Sequence, residues 1–265
     1  MTRFDLRLGD CLAGMAQLKA ASINLVVTSP PYNLGIRYGK FADTADRASY
    51  LDWCAQWAAQ IHRLLRPDGS FFLNIGAAPS NPMLPHEIAL RLRELFVLQN
   101  TIHWIKAITL PNESSEDEIS RGHFKPINSP RFLNDCHEYI FHFTPEGKTP
   151  LDRLALGVPY QDKSNISRWS HTRGRDRRCR GNTWFVPYET IQHRATERPH
   201  PASFPAQLAV NCILLHGLTR IGCMLDPFLG IGNSALAALR CGLTNFIGFE
   251  IDEIYLAEAR RRLKI

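Results

Sequence analysis

The chain has 265 residues, 45% hydrophobic and 21% charged, with a net charge of +6 and a pI of about 9.0. That is enough for one large domain, or a core with a sizeable insertion, and it excludes a disordered chain and a scaffold that needs disulfide staples. The positive surplus favours polyanionic partners, although a basic soluble enzyme would carry the same charge.

The seven cysteines are scattered, with no C-x-x-C and no Cys/His zinc spacing. That pattern points to a reducing compartment, mostly buried thiols and no metal centre. Neither a signal peptide nor an apolar span is visible, so the expectation is a cytoplasmic protein without a membrane partner.

Residues 4–8 alternate as a short strand ending at Gly9-Asp10, and 12–18 predict a helical turn or two. Residues 23–28 (INLVVT) form an apolar, β-branched run, the pattern of a buried parallel strand. Two prolines cannot continue a central strand, so it stops at Ser29-Pro30-Pro31. The polar, glycine-containing stretch 33–47 reads as a mobile loop. Helical periodicity over 49–65 puts Tyr50, Trp53, Trp57, Ile61 and Leu64 on one face. Pro67-Asp68-Gly69 reads as a turn, 70–75 (SFFLNI) as a strand, 84–95 as a helix and 97–105 as a strand.

From about residue 109 the pattern weakens, and 163–180 becomes strongly basic. Only 136–143 (CHEYIFHF) reads as a clean strand there, so 109–199 is taken as an insertion around it. Residues 205–218 then predict a helix, and 224–228 a short strand ending in a glycine turn. A helix over 233–240, a strand over 245–250 (NFIGFE) and a helix over 254–263 complete the chain. Alternating strands and helices imply a parallel, doubly wound α/β sheet.

Asp226-Pro227-Phe228-Leu229-Gly230-Ile231-Gly232 lies between a strand and a helix. Glycines there let the backbone approach a ligand beside the positive end of the helix. Glu250 ends the next strand, 18 residues past Gly232, where a carboxylate can accept from both hydroxyls of a ribose. The pair suggests an adenosine-containing cofactor, although a glycine turn of this kind often stands without one. The spacing is not G-x-G-x-x-G and no G-x-x-x-x-G-K-[ST] occurs, which counts against nicotinamide chemistry and ATP hydrolysis.

The most specific feature is Thr28-Ser29-Pro30-Pro31-Tyr32-Asn33. The amino group of a nucleobase is a poor nucleophile, because its lone pair is delocalised into the ring. A site that methylates it must accept hydrogen bonds from the amino hydrogens and hold the nitrogen in line with the methyl donor. The Ser29 hydroxyl and the Pro30 carbonyl can supply two acceptors, and Pro30 and Pro31 leave no competing N–H. Tyr32 can stack on the base, which must leave the duplex to reach such a pocket. A sulfonium donor makes the transfer favourable without a metal. The plain alternative is a strand-ending proline turn whose tyrosine packs on the core.

Together these residues resemble the DNA amino-methyltransferases of restriction–modification type, in their β arrangement. TSPPYN resembles the catalytic motif, DPFLGIG the S-adenosylmethionine glycine motif, and Glu250 its ribose-binding acid. His200-Pro201-Ala202-Ser203-Phe204-Pro205 is similar to the segment that holds the methionine end of the cofactor, and Gly9-Asp10-Cys11 to one near its adenine. The order, catalytic motif before glycine motif, is that of the β group. It argues against release-factor and ribosomal-RNA methylases, in which the glycine motif comes first.

The resemblance implies a Rossmann-like S-adenosylmethionine-dependent methyltransferase fold with an inserted target-recognition region. Residues 1–108 would be the catalytic part of the core, 109–199 the recognition region and 200–265 the cofactor-binding part of the same core. Catalysis would fall to Ser29, Pro30, Pro31 and Tyr32. Cofactor binding would fall to Asp10, Cys11, Ser203, Phe204, Pro205, Asp226, Phe228, Gly230, Gly232, Asn233 and Glu250.

Double-stranded DNA is the implied partner. Arg37 and Tyr38 lie in a loop that in relatives closes over DNA. Arg168, Arg173, Arg175, Arg177, Arg178 and Arg180 would track phosphates or read guanine edges, unless they form a merely solvated loop. Gly181-Asn182-Thr183-Trp184 resembles a G-N-x-W segment near the end of the recognition region, and packing is its alternative reading. A homodimer and a cognate restriction endonuclease are both compatible partners.

Serine at position 29 favours the 4-amino group of cytosine, because adenine methylases of this type more often carry Asp or Asn there. The 6-amino group of adenine is the alternative. No Pro-Cys dipeptide occurs, which excludes carbon-5 cytosine methylation. Two rivals of other classes are an RNA or protein-amide methylase, against which the motif order counts, and a non-catalytic DNA-binding relative, against which the intact TSPPYN counts.

Overall fold

Apolar runs that alternate by two dress both faces of one sheet with side chains. In the computed structural model, which describes residues 3–79, 81–112, 118–122, 127–187 and 203–265, that sheet is the frame of the molecule. Its strands, in chain order, are β1 (Arg3–Leu8), β2 (Ile23–Thr28), β3 (Leu65–Ile75) and β4 (Val97–Ile105). After a separate hairpin of β5 (Ala107–Pro111) and β6 (Glu118–Gly122) come β7 (His137–Thr144), β8 (Thr183–Phe185), β9 (Met224–Asp226) and β10 (Asn245–Glu250). Among the described residues the order across the sheet is β1-β10-β9-β2-β3-β7-β4-β8. Strands β1, β10, β9, β2 and β3 pair in parallel, and β7 runs antiparallel to both β3 and β4.

The helices are α1 (Cys11–Ala16), α2 (Arg47–Leu64), α3 (Leu84–Leu92), α4 (Ser164–Arg168), α5 (Ala206–His216), α6 (Asn233–Arg240) and α7 (Glu253–Leu263). Leu25, Val27 and Phe72 pack with Leu208, Ala209, Ala235 and Leu256 of α5, α6 and α7. Their alternates Val26, Phe71 and Leu73 pack with Met15, Trp57, Ile61 and Ile88 of α1, α2 and α3. The result is a three-layer α/β/α core of the doubly wound kind. Each fully buried Leu, Ile or Phe in it contributes about 1.5–3 kcal/mol relative to exposure.

Four sequence expectations change. Residues 67–69 do not form a free turn but run inside β3, where a register shift lets β3 advance from Leu65 to Ser70 while β2 advances from Ile23 to Leu25. The stretch 33–47 is not a loose loop. Asp43, 2% exposed, accepts from the main-chain N–H groups of Asn33 (2.7 Å), Leu34 (3.0 Å) and Ile36 (3.0 Å) and ties it down. Of the seven free cysteines, three are buried and Cys179 is exposed. Strand β7, foreseen as a lone strand inside the insertion, completes the core sheet between β3 and β4. Among the described residues no helix is long and apolar enough to cross a membrane.

A polar knot sits inside this core. Ser70 Oγ lies 2.9 Å from both His142 Nε2 and His216 Nδ1, and His142 Nδ1 lies 3.0 Å from Asn100 Nδ2. Burial lowers His142 from 6.5 to about 3, helped by the neighbouring His216. Burial likewise lowers His216 to about 4, helped by Arg220. Both rings are therefore neutral in the fold but take protons near pH 6.5 when unfolded. The unfolded state binds more protons between pH 6.5 and 4, so their contribution to stability is full above pH 7 and falls as pH drops. Replacing one of them, as in His216→Gln, is expected to flatten the fall by about 1.4 kcal/mol per pH unit in that window. Urea unfolding of both proteins from pH 7.5 to 4.5 checks this, and parallel pH profiles would contradict it.

Candidate active site

In a parallel sheet the chain turns outward at the carboxyl ends of the strands, and ligand sites form in the crevice there. Here those ends open on a cavity of about 810 Å³, within the size range of small-molecule sites. Its lining includes Asp10 and Cys11 after β1, Ser29, Pro30, Pro31 and Tyr32 after β2, and Phe228 and Gly230 after β9. Glu250 at the end of β10 and Asn233 at the start of α6 line it too, as do Ser203, Phe204 and Tyr38. His200, Pro201 and Ala202 lie outside the described residues.

At one end of the cavity, Glu250 Oε2 accepts from the Gly230 main-chain N–H (2.7 Å), and Oε1 accepts from that of Asp252 (2.9 Å). Burial raises the Glu250 carboxyl above its usual range. A carboxylate offers about four acceptor sites, so two main-chain donors leave it room for more. Asn233 Nδ2 donates to the Phe204 carbonyl (2.7 Å) and fastens 203–205 to the glycine turn. Asp10 caps α1 through the Ala13 N–H (3.0 Å), and burial pushes the Cys11 thiol up to about 12, keeping it neutral. Phe41, Trp53 and Phe228 form an aromatic wall, with ring centroids 5.4 Å apart for Phe41–Trp53 and 5.5 Å for Trp53–Phe228.

At the other end lies a closed polar network. Ser29 Oγ is 2.6 Å from Tyr32 Oη, which is 3.1 Å from Glu138 Oε2. Asn74 Nδ2 donates to Glu138 Oε2 (2.7 Å), to Tyr32 Oη (2.8 Å) and, more weakly, to Ser29 Oγ (3.4 Å). Lys106 Nζ completes it, 3.3 Å from Glu138 Oε1. Because β7 runs antiparallel, its amino end carries Glu138 to the edge where the parallel strands end. A Cβ at Gly76 would meet the side chains of Glu138 and Tyr32 at 3.0 Å, so glycine there lets the two sit close without displacement. Tyr50 donates its hydroxyl to the Pro31 carbonyl (2.7 Å), whereas the Pro30 carbonyl meets no donor among the described residues.

Several foreseen site residues have other duties. Asp226 does not line the cavity: it is fully buried and accepts from Thr28 Oγ1 (2.5 Å), the Phe228 N–H (3.0 Å) and the Ser234 hydroxyl, fastening β9 to β2 and α6. Burial pushes its carboxyl up to about 6 against the pull of those three donors. Gly232, at φ +81°, is needed for packing: a Cβ there would meet Ala259 of α7 at 2.9 Å. Pro205 is the residue before α5. Arg37 is exposed and bridges to Ala42, while Tyr38 is half-buried and burial raises its phenol well above the usual range.

The basic run is partly structural. Arg177 donates to the carbonyls of Leu154 (2.6 Å) and Ala155 (2.9 Å), and Arg180 to that of Leu156 (3.1 Å). Arg178 pairs with Val158 through its main chain. Arg168, Arg173 and Arg175 are exposed and make no side-chain bond to a described residue. The Gly181–Trp184 segment packs: Trp184 is buried in β8, which lines up beside β4.

Sequence reasoning missed Asn74, Lys106, Glu138 and Asp252. A signal existed for two of them, since Asn74 and Glu138 are polar residues set in the largely apolar runs SFFLNI and CHEYIFHF. A buried polar side chain needs a partner, and here each is part of the other's.

Comparison with known proteins places the chain among DNA methylases. Over 263 residues the chain is 26% identical to the DNA adenine methyltransferase YhdJ of Escherichia coli (strain K12), covering 97% of this chain and 81% of that protein. It superposes on the PvuII DNA methyltransferase (cytosine-N4-specific) with a TM-score of 0.69 at 21% identity, over 99% of this chain and 86% of that one. It superposes on TTHA0409 of Thermus thermophilus, solved as a complex with S-adenosyl-L-methionine, with a TM-score of 0.62 at 24% identity, over 98% and 93%. The model of the DNA methylase family for N6 and N4 amino groups matches residues 23–261, and the chain belongs to that family.

Proposed function

We propose that this DNA methylase moves a methyl group from S-adenosylmethionine to the 4-amino group of a cytosine turned out of duplex DNA. The carrying observation is that one cavity joins a carboxylate and glycine turn, Glu250 and Gly230, to the acceptors of Ser29 and Pro30. The cofactor, when bound, supplies a methyl group made electrophilic by its sulfonium sulfur. Glu250 has acceptor sites left for the ribose hydroxyls, and Phe228 with its aromatic neighbours offers an apolar wall for the adenine. Asp10, Cys11, Ser203, Phe204 and Asn233 enclose the rest of that end.

Ser29 Oγ and the Pro30 carbonyl accept the two amino hydrogens, localise the lone pair on nitrogen and hold it in line with the methyl group. Tyr32 flanks the base. Serine at position 29 supports cytosine over adenine. Methylation of unmodified genomic DNA, digested to nucleosides and resolved by mass spectrometry, tests the reading. A 4-methylcytosine product is expected. A 6-methyladenine product would keep the mechanism and reverse the base, and no methylated base from the cofactor-loaded protein would overturn the proposal.

Arg168, Arg173 and Arg175 are free to meet phosphates, whereas Arg177 and Arg180 are engaged within the chain. The triple alanine variant of the first three is expected to weaken DNA binding and to lower the slope of log K against log salt by about 2–3. Arg177→Ala should instead lower the melting temperature. Fluorescence-anisotropy titrations at several salt concentrations check the first statement, and an unchanged slope would contradict it.

A further inference from the structure

Glu138 touches neither of the groups just assigned to the amine, yet its carboxylate controls one of them. The Ser29 hydroxyl can act as acceptor for an amino hydrogen only if its own hydrogen points elsewhere. The 2.6 Å contact between Ser29 Oγ and Tyr32 Oη allows either oxygen to donate. What decides is the other side of Tyr32, whose hydroxyl faces Glu138 Oε2 at 3.1 Å and the Asn74 main-chain carbonyl at 3.4 Å. Both can only accept, and the carboxylate is the nearer and the stronger. The Tyr32 hydrogen therefore points away from Ser29. Tyr32 Oη is left as an acceptor, filled by Asn74 Nδ2 at 2.8 Å and by the Ser29 hydroxyl. Ser29 must donate to Tyr32, and its lone pairs face the cavity.

We propose that Glu138, held by Lys106 and Asn74, is the positioning residue that sets the hydrogen-bond direction of the Tyr32–Ser29 pair and so makes Ser29 an acceptor for the target amine. This rests on the reading of Ser29 as the amine's acceptor. The ion pair with Lys106 is nearly buried, with side chains 15% and 10% exposed, so the ammonium holds Oε1 and leaves Oε2 facing Tyr32. Asn74 donates a further bond to the same Oε2 at 2.7 Å.

The test exploits Lys106. In Glu138→Gln the amide oxygen is drawn to the ammonium, which turns the amide NH2 toward Tyr32, and Asn74 can present its unpartnered Oδ1 to it. Tyr32 then accepts from the amide and donates to Ser29, and the serine points its hydrogen at the amine. The single-turnover methylation rate of Glu138→Gln is expected to fall about 10–100-fold, with DNA and cofactor dissociation constants held within about twofold. Adding Lys106→Met releases the amide oxygen to face Tyr32, so Lys106→Met/Glu138→Gln should recover most of the rate. In a Tyr32→Phe background Glu138→Gln should cost less than about twofold, because the link it acts through is gone.

A merely structural role would make the Lys106→Met/Glu138→Gln variant worse than the single one. That result overturns the inference, as does a single variant at the wild-type rate or an undiminished loss in the Tyr32→Phe background. Thermal melting accompanies each variant. Should Glu138→Gln not fold, the charge-free Lys106→Met/Glu138→Gln protein is compared with Lys106→Met/Glu138→Leu, which lacks any acceptor and must be at least about tenfold slower. A wild-type protein that methylates no DNA base would fail at the earlier reading of the site and take this inference with it. Every other adverse result falls on Glu138 alone.

Discussion

Ser29→Ala is expected to slow methyl transfer by about a hundredfold or more while leaving S-adenosylmethionine binding unchanged. Its bonding partners are Tyr32 and Asn74, and none of the residues at the Glu250 end of the cavity touches it. The hydroxyl is therefore not expected to hold the cofactor. Its loss would remove one of the two acceptors proposed to localise the amine lone pair. The fold should tolerate the change, since Tyr32 keeps Glu138 and Asn74 as partners. Single-turnover kinetics with an isothermal titration of the cofactor separates the two quantities. An unchanged rate would remove Ser29 from the mechanism, and a changed cofactor affinity would mean that the two ends of the cavity are not independent.

The second large effect is expected at the opposite end. Glu250→Ala should raise the cofactor dissociation constant about a hundredfold, from the loss of two charge-assisted hydrogen bonds to the ribose. The structure adds a second reason. The same carboxylate holds the N–H groups of Gly230 and Asp252, so alanine also frees the glycine turn. Glu250→Gln keeps the shape and one acceptor, and should fall between the two. Because burial raises the Glu250 carboxyl, wild-type affinity should also decline as pH drops through that raised value and an acceptor oxygen becomes a donor. Titration calorimetry at two pH values reads both effects, and an unaltered constant in the alanine variant would refute the ribose assignment.

Much of the core was legible because its signals are local. The run 23–28 is wholly apolar or β-branched apart from Asn24 and ends in two prolines, so its place as a buried parallel strand follows from the chain alone. The strand 97–105, the helix 233–240 and the strand 245–250 have the expected bounds for the same reason, a clean period and a clear stop. The hairpin of β5 and β6 and the edge strand β8 carry no such period. They are short and largely exposed, and they exist because a neighbouring strand offers them hydrogen bonds.

The site divides along the same line. TSPPYN, the glycine turn and Glu250 could be read directly, since proline, glycine and a strand-ending acid act through their own backbone position. The duties of Asp226, Gly232, Arg177 and Arg180 could not, because each is set by a partner far along the chain. Thr28 lies 198 residues from Asp226, and Leu154 lies 23 from Arg177.

What the sequence by itself determined is the layered α/β core and the motifs that line the cavity at the edge of its sheet. What only the tertiary structure decided is the network behind the serine. Asn74 lies on β3, Glu138 on β7 and Lys106 just past the end of β4, and they meet only because β7 inserts antiparallel between β3 and β4. A hydrogen bond's direction depends on every acceptor around it, and those acceptors are brought together by folding, not by spacing along the chain.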